Sequence, residues 1–529
     1  MTTRRYFAAY RTMTEMMKKI VVALVASFLI SAASAQTAPA RQAPPPTSVP
    51  QAGKEAPKQQ AEQSAALSQI KIPVLPPFKP QQPERIQLPN GMVIFLQVDH
   101  ELPLIGGTIR VRGGSRDEPA EKTGMISMYG DVWRTGGTKS KTGDQLDDFL
   151  EARAAKIESN DGADSTSLSF DCLKGDFEDV FKIFLDVLHD PAFREDKITL
   201  AKRQMDTVIA RRNDDVDSIV SREAVRLAYG PDSPYSRVPE FATVAKVNRD
   251  DMVQWHTQTV QPQNIIFGIY GDFDPKVMET RLHEAFDSWQ KGKQFTQAKL
   301  AFNPAPPSIY FVSKDDVNQS SIQMVSLGIR RDSPDYYAVE VMNEVLGGGF
   351  ASRLFETIRS KLGLAYSVGG GVGTGWDHPG ISRFDMATKS ATTAESVKAM
   401  KTELSRMLTE PATAEEMRRS KDAILNSFIF NFDDKEKVLA ERMRYEFYGY
   451  PADFLERYRA GIEKVTIEDV NRVAHKYIHP DQLATLVLGN PGELGNQLTS
   501  LGPVKTLDIT IPPPPGGQPA EMGAQPGQQ

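Results

Sequence analysis

Apolar and polar residues alternate or cluster in a mixed pattern along the chain. Met92 to Gln97 and Ile105 to Val111 are β-branched and partly alternating, which predicts strands. Ser167 to Leu173 alternates in the same way. Leu200 to Arg212 and Glu415 to Phe428 place their apolar residues at helical spacing and predict amphipathic helices. Pro262 and Pro480 each end a helical stretch and precede an apolar strand, Ile265 to Tyr270 and Leu483 to Leu488.

Those two strands belong to a repeat. Val247-Asn248-Arg249-Asp250-Asp251-Met252 opens a helical stretch that leads through Gln261-Pro262-Gln263-Asn264 to a strand ending at Gly271-Asp272. Val465-Thr466-Ile467-Glu468-Asp469-Val470 opens another, leading through His479-Pro480-Asp481-Gln482 to a strand ending at Gly489-Asn490. Val247 maps to Val465, Asp251 to Asp469, Pro262 to Pro480 and Gly271 to Gly489, at a constant offset of 218 residues. Tyr229-Gly230 and Tyr448-Gly449 keep nearly the same offset. A period this long is duplication of a whole domain, not a solenoid repeat. The expected fold class is α+β: two homologous α/β domains, 84–300 and 305–508, each a mainly antiparallel sheet covered by helices. Phe302-Asn303-Pro304-Ala305-Pro306-Pro307 joins them.

The ends read differently. Lys18 and Lys19, the apolar run Ile20 to Ile30, and Ala33-Ser34-Ala35 before Gln36 have the order of a secretory signal, expected to occupy residues 1–35. Cleavage there changes the formal net charge of the 529-residue chain from -6 to -10, because the removed segment carries a net +4. Nothing in that balance favours nucleic acid. Residues 36–83 are rich in Pro, Gln and Ala and are expected to be a disordered linker; 509–529 are expected to be a similar tail. The expected location is the periplasm. Cys172 is the only cysteine, so no internal disulfide is available, and its alternating surroundings predict a small buried strand residue.

Several segments together resemble the insulinase or pitrilysin-type zinc peptidases. They are Leu88-Pro89-Asn90-Gly91-Met92, Arg112-Gly113-Gly114-Ser115-Arg116-Asp117-Glu118-Pro119, Lys122-Thr123-Gly124, Leu346-Gly347-Gly348-Gly349-Phe350-Ala351-Ser352-Arg353-Leu354-Phe355 and Gly363-Leu364-Ala365-Tyr366-Ser367-Val368. The resemblance covers nearly all of 84–508 and implies a pair of homologous α/β domains, in agreement with the repeat. Active members carry His-x-x-Glu-His after the Thr-Gly segment, two histidines for zinc and a glutamate to activate water. Here Ser127, Gly130 and Asp131 stand in those three places. The family's third ligand, a later Glu, maps to Val208, with Asp206 the only carboxylate in that stretch. His475 and His479 are spaced i,i+4, but His479 directly precedes Pro480, where the helix has ended, so they too predict no metal site.

The other half of the family's site is present. Arg359 and Tyr366 have the spacing of a C-terminal-domain pair that, in the family, contacts the substrate carbonyl near the scissile bond. A guanidinium and a phenol can donate hydrogen bonds to developing negative charge. By their own pattern they also read as an Arg at a helix end and a Tyr starting a strand. Gly347, Gly348 and Gly349 lack the Lys-Ser or Lys-Thr of a phosphate loop. The resemblance assigns them to substrate admission; the residues themselves show a permissive helix-end turn. Residues near Ser159-Asn160-Asp161 fall where the family's first domain adds a peptide to a sheet edge.

The expectation is therefore a non-catalytic subunit, inactive alone and without a metal of its own. Its partner would be a paralogous, zinc-bearing peptidase subunit whose site Arg359 and Tyr366 complete on a peptide substrate. A stand-alone peptide-binding scaffold and a peptidase with an atypical site are the alternatives. No stable membrane span is expected once the signal is removed.

Overall fold

In the second half of the chain the apolar strands lie where their patterns require. The computed structural model describes residues 80–516. The secretory signal, nearly all of the Pro/Gln-rich stretch and most of the tail fall outside those residues.

The first sheet has the order β1-β2-β6-β3-β5-β4. Its strands are β1 (Glu84–Gln87), β2 (Val93–Val98), β3 (Leu104–Arg112), β4 (Lys156–Asn160), β5 (Ser165–Leu173) and β6 (Ile265–Gly271). β6 is apolar at nearly every position because it lies inside the sheet with both faces covered. β5 alternates because one face is wet. Thr166, Leu168, Phe170 and Cys172 point into the core, while Ser165, Ser167, Ser169 and Asp171 point out. Cys172 is buried as expected, and that burial pushes its thiol up to about 12.

The second sheet has the order β10-β12-β8-β13-β7-β14. Its strands are β7 (Ile309–Ser313), β8 (Gln319–Leu327), β10 (Ala365–Gly371), β12 (Ile381–Lys389), β13 (Ala484–Gly489) and β14 (Val504–Thr506). Two short strands, β9 (Ile329–Arg330) and β11 (Thr374–Gly375), pair beside it. Read in opposite directions the two sheets match. β2 runs parallel to β6 as β7 does to β13; β3 and β8 run antiparallel to those partners and then to β5 and β12. Both sheets are mainly antiparallel, and the fold is two homologous α/β halves. Equivalent helices start with equivalent caps. Asn248 accepts from the Asp251 amide at 3.1 Å and Thr466 from the Asp469 amide at 3.2 Å, each in a capping box.

The halves exchange a helix. Each sheet packs one face on its own helices, around Ile109, Phe170, Phe184 and Phe267 in the first half and Ile322, Met342, Phe384 and Val487 in the second. The opposite face is covered by a helix from the other half. Leu439, Met443 and Phe447 of the Lys435–Tyr448 helix pack on Val93, Phe95 and Ile266 of the first sheet. Ile219, Val220 and Leu227 of the Val216–Tyr229 helix pack on Tyr310, Val325 and Leu486 of the second. Gly268 makes the first contact possible, since a Cβ there would lie 2.3 Å from Met443 Sδ. Each such apolar side chain, fully buried, contributes roughly 1.5–3 kcal/mol.

Polar ties accompany the exchange. Arg85 pairs with Glu446 at 2.8 Å and Lys435 with Asp99 at 2.7 Å. Arg110 stacks 3.8 Å over the Phe447 ring. The Trp376–His378 turn of the second half reaches Arg116 of the first, where Asp377 accepts from the buried guanidinium at 2.5 Å. After β14 the chain returns toward the first half. Asn213 donates to the Ile509 carbonyl at 2.6 Å, and Ile511 packs on the first core. Packing thus runs a few residues into the stretch that composition assigns to the tail.

Candidate functional site

The helix that carries the altered zinc motif, Met125–Thr135, is held at its start by Glu118. This buried carboxylate accepts from the Gly124 amide at 3.0 Å and the Ile126 amide at 2.9 Å. Burial pushes it up to about 7. One face of the helix, with Ile126, Met128, Tyr129, Val132 and Trp133, is in the core. Tyr129 shares a 2.8 Å hydrogen bond with His256 Nδ1, and His256 Nε2 lies 3.0 Å from the Leu188 carbonyl.

The opposite face bears Ser127, Gly130 and Asp131, and it lies against β4. A Cβ on Gly130 would lie 2.9 Å from both the backbone N and the Cβ of Asp161. Ser159 donates to the Gly130 carbonyl at 2.5 Å and accepts from the Arg134 amide at 3.2 Å. Arg134 Nε donates to the Ile157 carbonyl at 3.0 Å, and Nη1 pairs with Asp147 at 2.5 Å. The helix thus holds β4 through the Ser159 side chain and the Ile157 carbonyl. Arg134 signals nothing in the sequence, because its role depends on which strand lies beside it.

A zinc ion does not fit here. Gly130 has no side chain, and the place of one is filled by Asp161. Burial raises the carboxyl pKa of Asp131; at Asp161 burial acts first and the charge of Asp131 second. They are two mutually opposed acids without an imidazole. On the Glu195–Arg211 helix Val208 is 63% exposed, an apolar side chain facing solvent where a ligand would be needed, and Asp206 is half-buried. His475 and His479 turn back on their own helix end, to the Asn471 carbonyl at 2.9 Å and the Lys476 carbonyl at 3.1 Å.

The second half is organised differently. The Tyr336–Gly347 helix runs into Gly348, Gly349 and Phe350, whose ring is 80% exposed. The loop is anchored at its far end by Arg353. This buried guanidinium donates to both Glu416 oxygens at 2.8 and 3.0 Å and to the Glu410 and Pro411 carbonyls. Glu416 is held down at about 2 by that pairing, against its burial.

Arg359 then sits on a π-helical segment, Phe355–Lys361, and Tyr366 sits on β10 where the pairing with β12 shifts register between Ala365 and Ser367. Both irregularities have a geometric effect. A π turn displaces side chains from the ordinary helical face, and a bulge leaves one residue unpaired and re-aims it. Tyr366 is 80% exposed on an edge strand. The structure brings the two residues together, with Arg359 Cζ 5.5 Å from the Tyr366 ring centre and 4.6 Å from that of Phe355. Phe350 meets Phe355 edge-on at 4.9 Å. The result is a continuous row beside the Gly347–Gly349 loop, with Phe350 and Tyr366 exposed and Phe355 and Arg359 half-buried between them. Phe350 and Phe355 were missed by sequence reasoning; an aromatic residue directly after three glycines was the available signal.

Comparison with known proteins agrees with this architecture. Residues 106–230 match the family model described as insulinase (peptidase family M16), and 246–424 match that described as the peptidase M16 inactive domain. An uncharacterized zinc protease of Mycobacterium leprae is 24% identical over 407 residues, 75% of this chain and 89% of that protein. A Helicobacter pylori protein named non-peptidase homolog YmxG is 21% identical over 406 residues, 75% of this chain and 91% of that protein. Among solved structures, a peptidase M16 inactive domain from Pseudomonas fluorescens superposes with a TM-score of 0.68 at 21% identity. It covers 77% of this chain and 98% of its own. A protease from Helicobacter pylori does so with a TM-score of 0.66 at 17% identity, covering 78% and 100%. At these identities the solved structures speak for the fold alone.

Proposed function

Because the chain belongs to the insulinase family of peptidases, we propose that it is a non-catalytic, substrate-handling subunit that completes the active site of a zinc-bearing partner. The observation that carries this reading is the contrast between the two halves. The motif helix of the first half has lost its ligands and closed on β4 through Gly130. The second half still presents Arg359 and Tyr366, side by side and accessible, on two irregular elements.

Exposed hydrogen-bond donors on rigid elements suit a peptide carbonyl that gains negative charge during hydrolysis. In this reading the Tyr366 hydroxyl and the Arg359 guanidinium donate to that oxygen. Phe355 holds the guanidinium from behind through a cation–π contact. The zinc, its bound water and the general base come from the partner. The peptide is handled mainly by the second half, because that half keeps the Arg359 and Tyr366 donors. Export across the inner membrane to the periplasm belongs to the same proposal and rests on the sequence of the first 35 residues.

The test is cleavage of a quenched fluorescent peptide library by the mature chain alone, by a zinc-motif relative from the same genome alone, and by the two mixed. Activity confined to the mixture, and lost on Tyr366→Phe or Arg359→Ala, is the expected result. Equal activity with and without this chain sinks the proposal and puts the peptide-binding scaffold in its place.

A further inference from the structure

The exchanged helix Lys435–Tyr448 covers only part of the outer face of the first sheet. Beside it, over β3 and β5, lies a cavity of about 300 Å³ with walls from both halves of the chain. One wall is apolar and one is polar. Leu439 and Met443 line the helix side. On the sheet side the Thr108 and Ser167 hydroxyls have no hydrogen-bond partner among the described residues.

The two ends carry opposite charge. At one end Glu436 of the helix stands near Asp171, which accepts from the Tyr270 hydroxyl at 2.7 Å. Burial raises the pKa of Glu436 first, and the charge of Asp171 second. Neither carboxylate forms an ion pair among the described residues, and the neighbouring Lys437 is paired with Asp433 at 2.7 Å. At the other end stand Arg110 and Arg444. Arg110 is committed to Ser165, Asp164 and Tyr448. Arg444 makes one hydrogen bond, to Glu441 at 2.5 Å, and its other nitrogens have no hydrogen-bond partner among the described residues.

Glu436 and Arg444 are eight residues apart on one helix, a separation of about 12 Å along its axis. An extended chain spans at most about 3.3–3.6 Å per residue, so three residues cover about 10–11 Å and reach from one end to the other.

We propose that this cavity binds a free tripeptide with small side chains, its α-amino group on Glu436 and Asp171, its α-carboxylate on Arg444, and its peptide groups on the Thr108 and Ser167 hydroxyls. Opposite charges at the ends fix the direction of the peptide, and charge-assisted hydrogen bonds at both termini select three residues over two or five. The apolar wall takes short aliphatic side chains, and a cavity near the lower limit for small-molecule sites has no room for large ones. Because its walls belong to different halves, a bound peptide holds the exchanged helix on the sheet and stabilises the folded chain. The site shares no residue with the Arg359 and Tyr366 pair and does not depend on the part the chain plays in cleavage.

The test is isothermal titration calorimetry of the full mature chain with trialanine, compared with dialanine, pentaalanine, N-acetyl-trialanine and trialanine amide. Trialanine binds at least tenfold more tightly than each of the other four and raises the melting temperature. Glu436→Gln removes the discrimination against the acetylated peptide and keeps that against the amide; Arg444→Gln does the opposite. Ala440→Phe, at an exposed position on the wall of the cavity, blocks binding and leaves the melting temperature of the free chain in place. Tyr366→Phe and Arg359→Ala bind trialanine as the parent does. No binding of trialanine, equal binding of the five peptides, or the same discrimination in Glu436→Gln and Arg444→Gln overturns the proposal. So does loss of binding in Tyr366→Phe, which would place the peptide at the other site. Cleavage in the mixture with a zinc-bearing relative bears on the complementing subunit alone, so the two readings stand or fall separately.

Discussion

The Arg359 guanidinium carbon lies 5.5 Å from the centre of the Tyr366 ring, although the two residues stand on a π-helical segment and a bulged edge strand. Regular structure would put neither side chain in this place. A helix with ordinary spacing would turn Arg359 elsewhere, and a strand in unbroken register would not set Tyr366 apart as an unpaired residue. Local irregularities of this kind persist where surrounding packing holds them, and here Arg353 clamps the preceding loop to Glu416.

Tyr366 is 80% exposed, so removing its hydroxyl touches no packing. Tyr366→Phe is expected to leave the melting temperature within about 1 °C of the unaltered chain. In the mixture with a zinc-bearing partner it should reduce kcat by on the order of 10²-fold with little change in KM, as loss of an oxyanion donor does. Steady-state kinetics and differential scanning fluorimetry on the same samples check both halves of that statement.

Gly130 stands where the family has its general base, yet restoring a glutamate there should not restore a peptidase. A Cβ at 130 would lie 2.9 Å from the Asp161 backbone, so even Gly130→Ala should force β4 away from the helix. The expected loss is about 1–3 kcal/mol, read from urea unfolding. Gly130→Ala as stable as the parent would mean that the helix and β4 are not pressed together. Chelators should leave the isolated chain's unfolding unchanged in the same experiment, because the site at Ser127, Gly130 and Asp131 has no ligand set for zinc.

His256 is buried against Tyr129 and Leu188, and burial pushes its imidazole down to about 3. The unfolded chain therefore binds a proton below about pH 6.5 that the folded chain refuses until about 3. The contribution of this group to stability is complete above pH 6.5, falls as the pH drops, and is lost by about 3. The slope approaches about 1.4 kcal/mol per pH unit in the middle of that window. His256→Gln should flatten the pH dependence by that amount, whatever it does to absolute stability. An unchanged slope between pH 4 and 6 would show that His256 titrates normally.

Arg116 and Asp377 join the halves at a place almost closed to water, where the side chain of Arg116 is 2% exposed. The guanidinium also meets the Tyr235 hydroxyl at 2.8 Å, and Asp377 is held at about 2 by His378 and Arg116 against its burial. Asp377→Asn removes the nearer of the buried cation's two counter-charges and leaves Asp117, at 3.8 Å, as the other. About 3 kcal/mol of stability should go with it, more than an exposed pair would cost. Chemical unfolding of the single variant, and of Arg116→Met with Asp377→Asn, distinguishes a stranded charge from lost packing, because the double variant should recover part of the loss.

Much of the fold was legible in the chain. The constant offset between Val247 and Val465, Pro262 and Pro480, and Gly271 and Gly489 revealed the duplication before any contact was known, and the matched capping boxes show why it was visible. Local rules acted there: caps, proline breaks and strand patterns are read from neighbours in sequence. The exchange of helices was not legible. The Val216–Tyr229 and Lys435–Tyr448 helices look like any other amphipathic helix, and their pattern specifies an apolar partner without saying which sheet supplies it.

The candidate site divides along the same line. The absence of zinc ligands at Ser127, Gly130, Asp131 and Val208, and the presence of Arg359 and Tyr366 at their spacing, are properties of residue types in order, and the sequence alone determined them. That Gly130 lets β4 close on the helix and that Arg134 reaches the Ile157 carbonyl were decided only by the tertiary structure. The physical reason is range. Side-chain chemistry is written one residue at a time, whereas burial, pairing and desolvation depend on which distant segments fill the space beside each group, and that is settled only when the two halves pack.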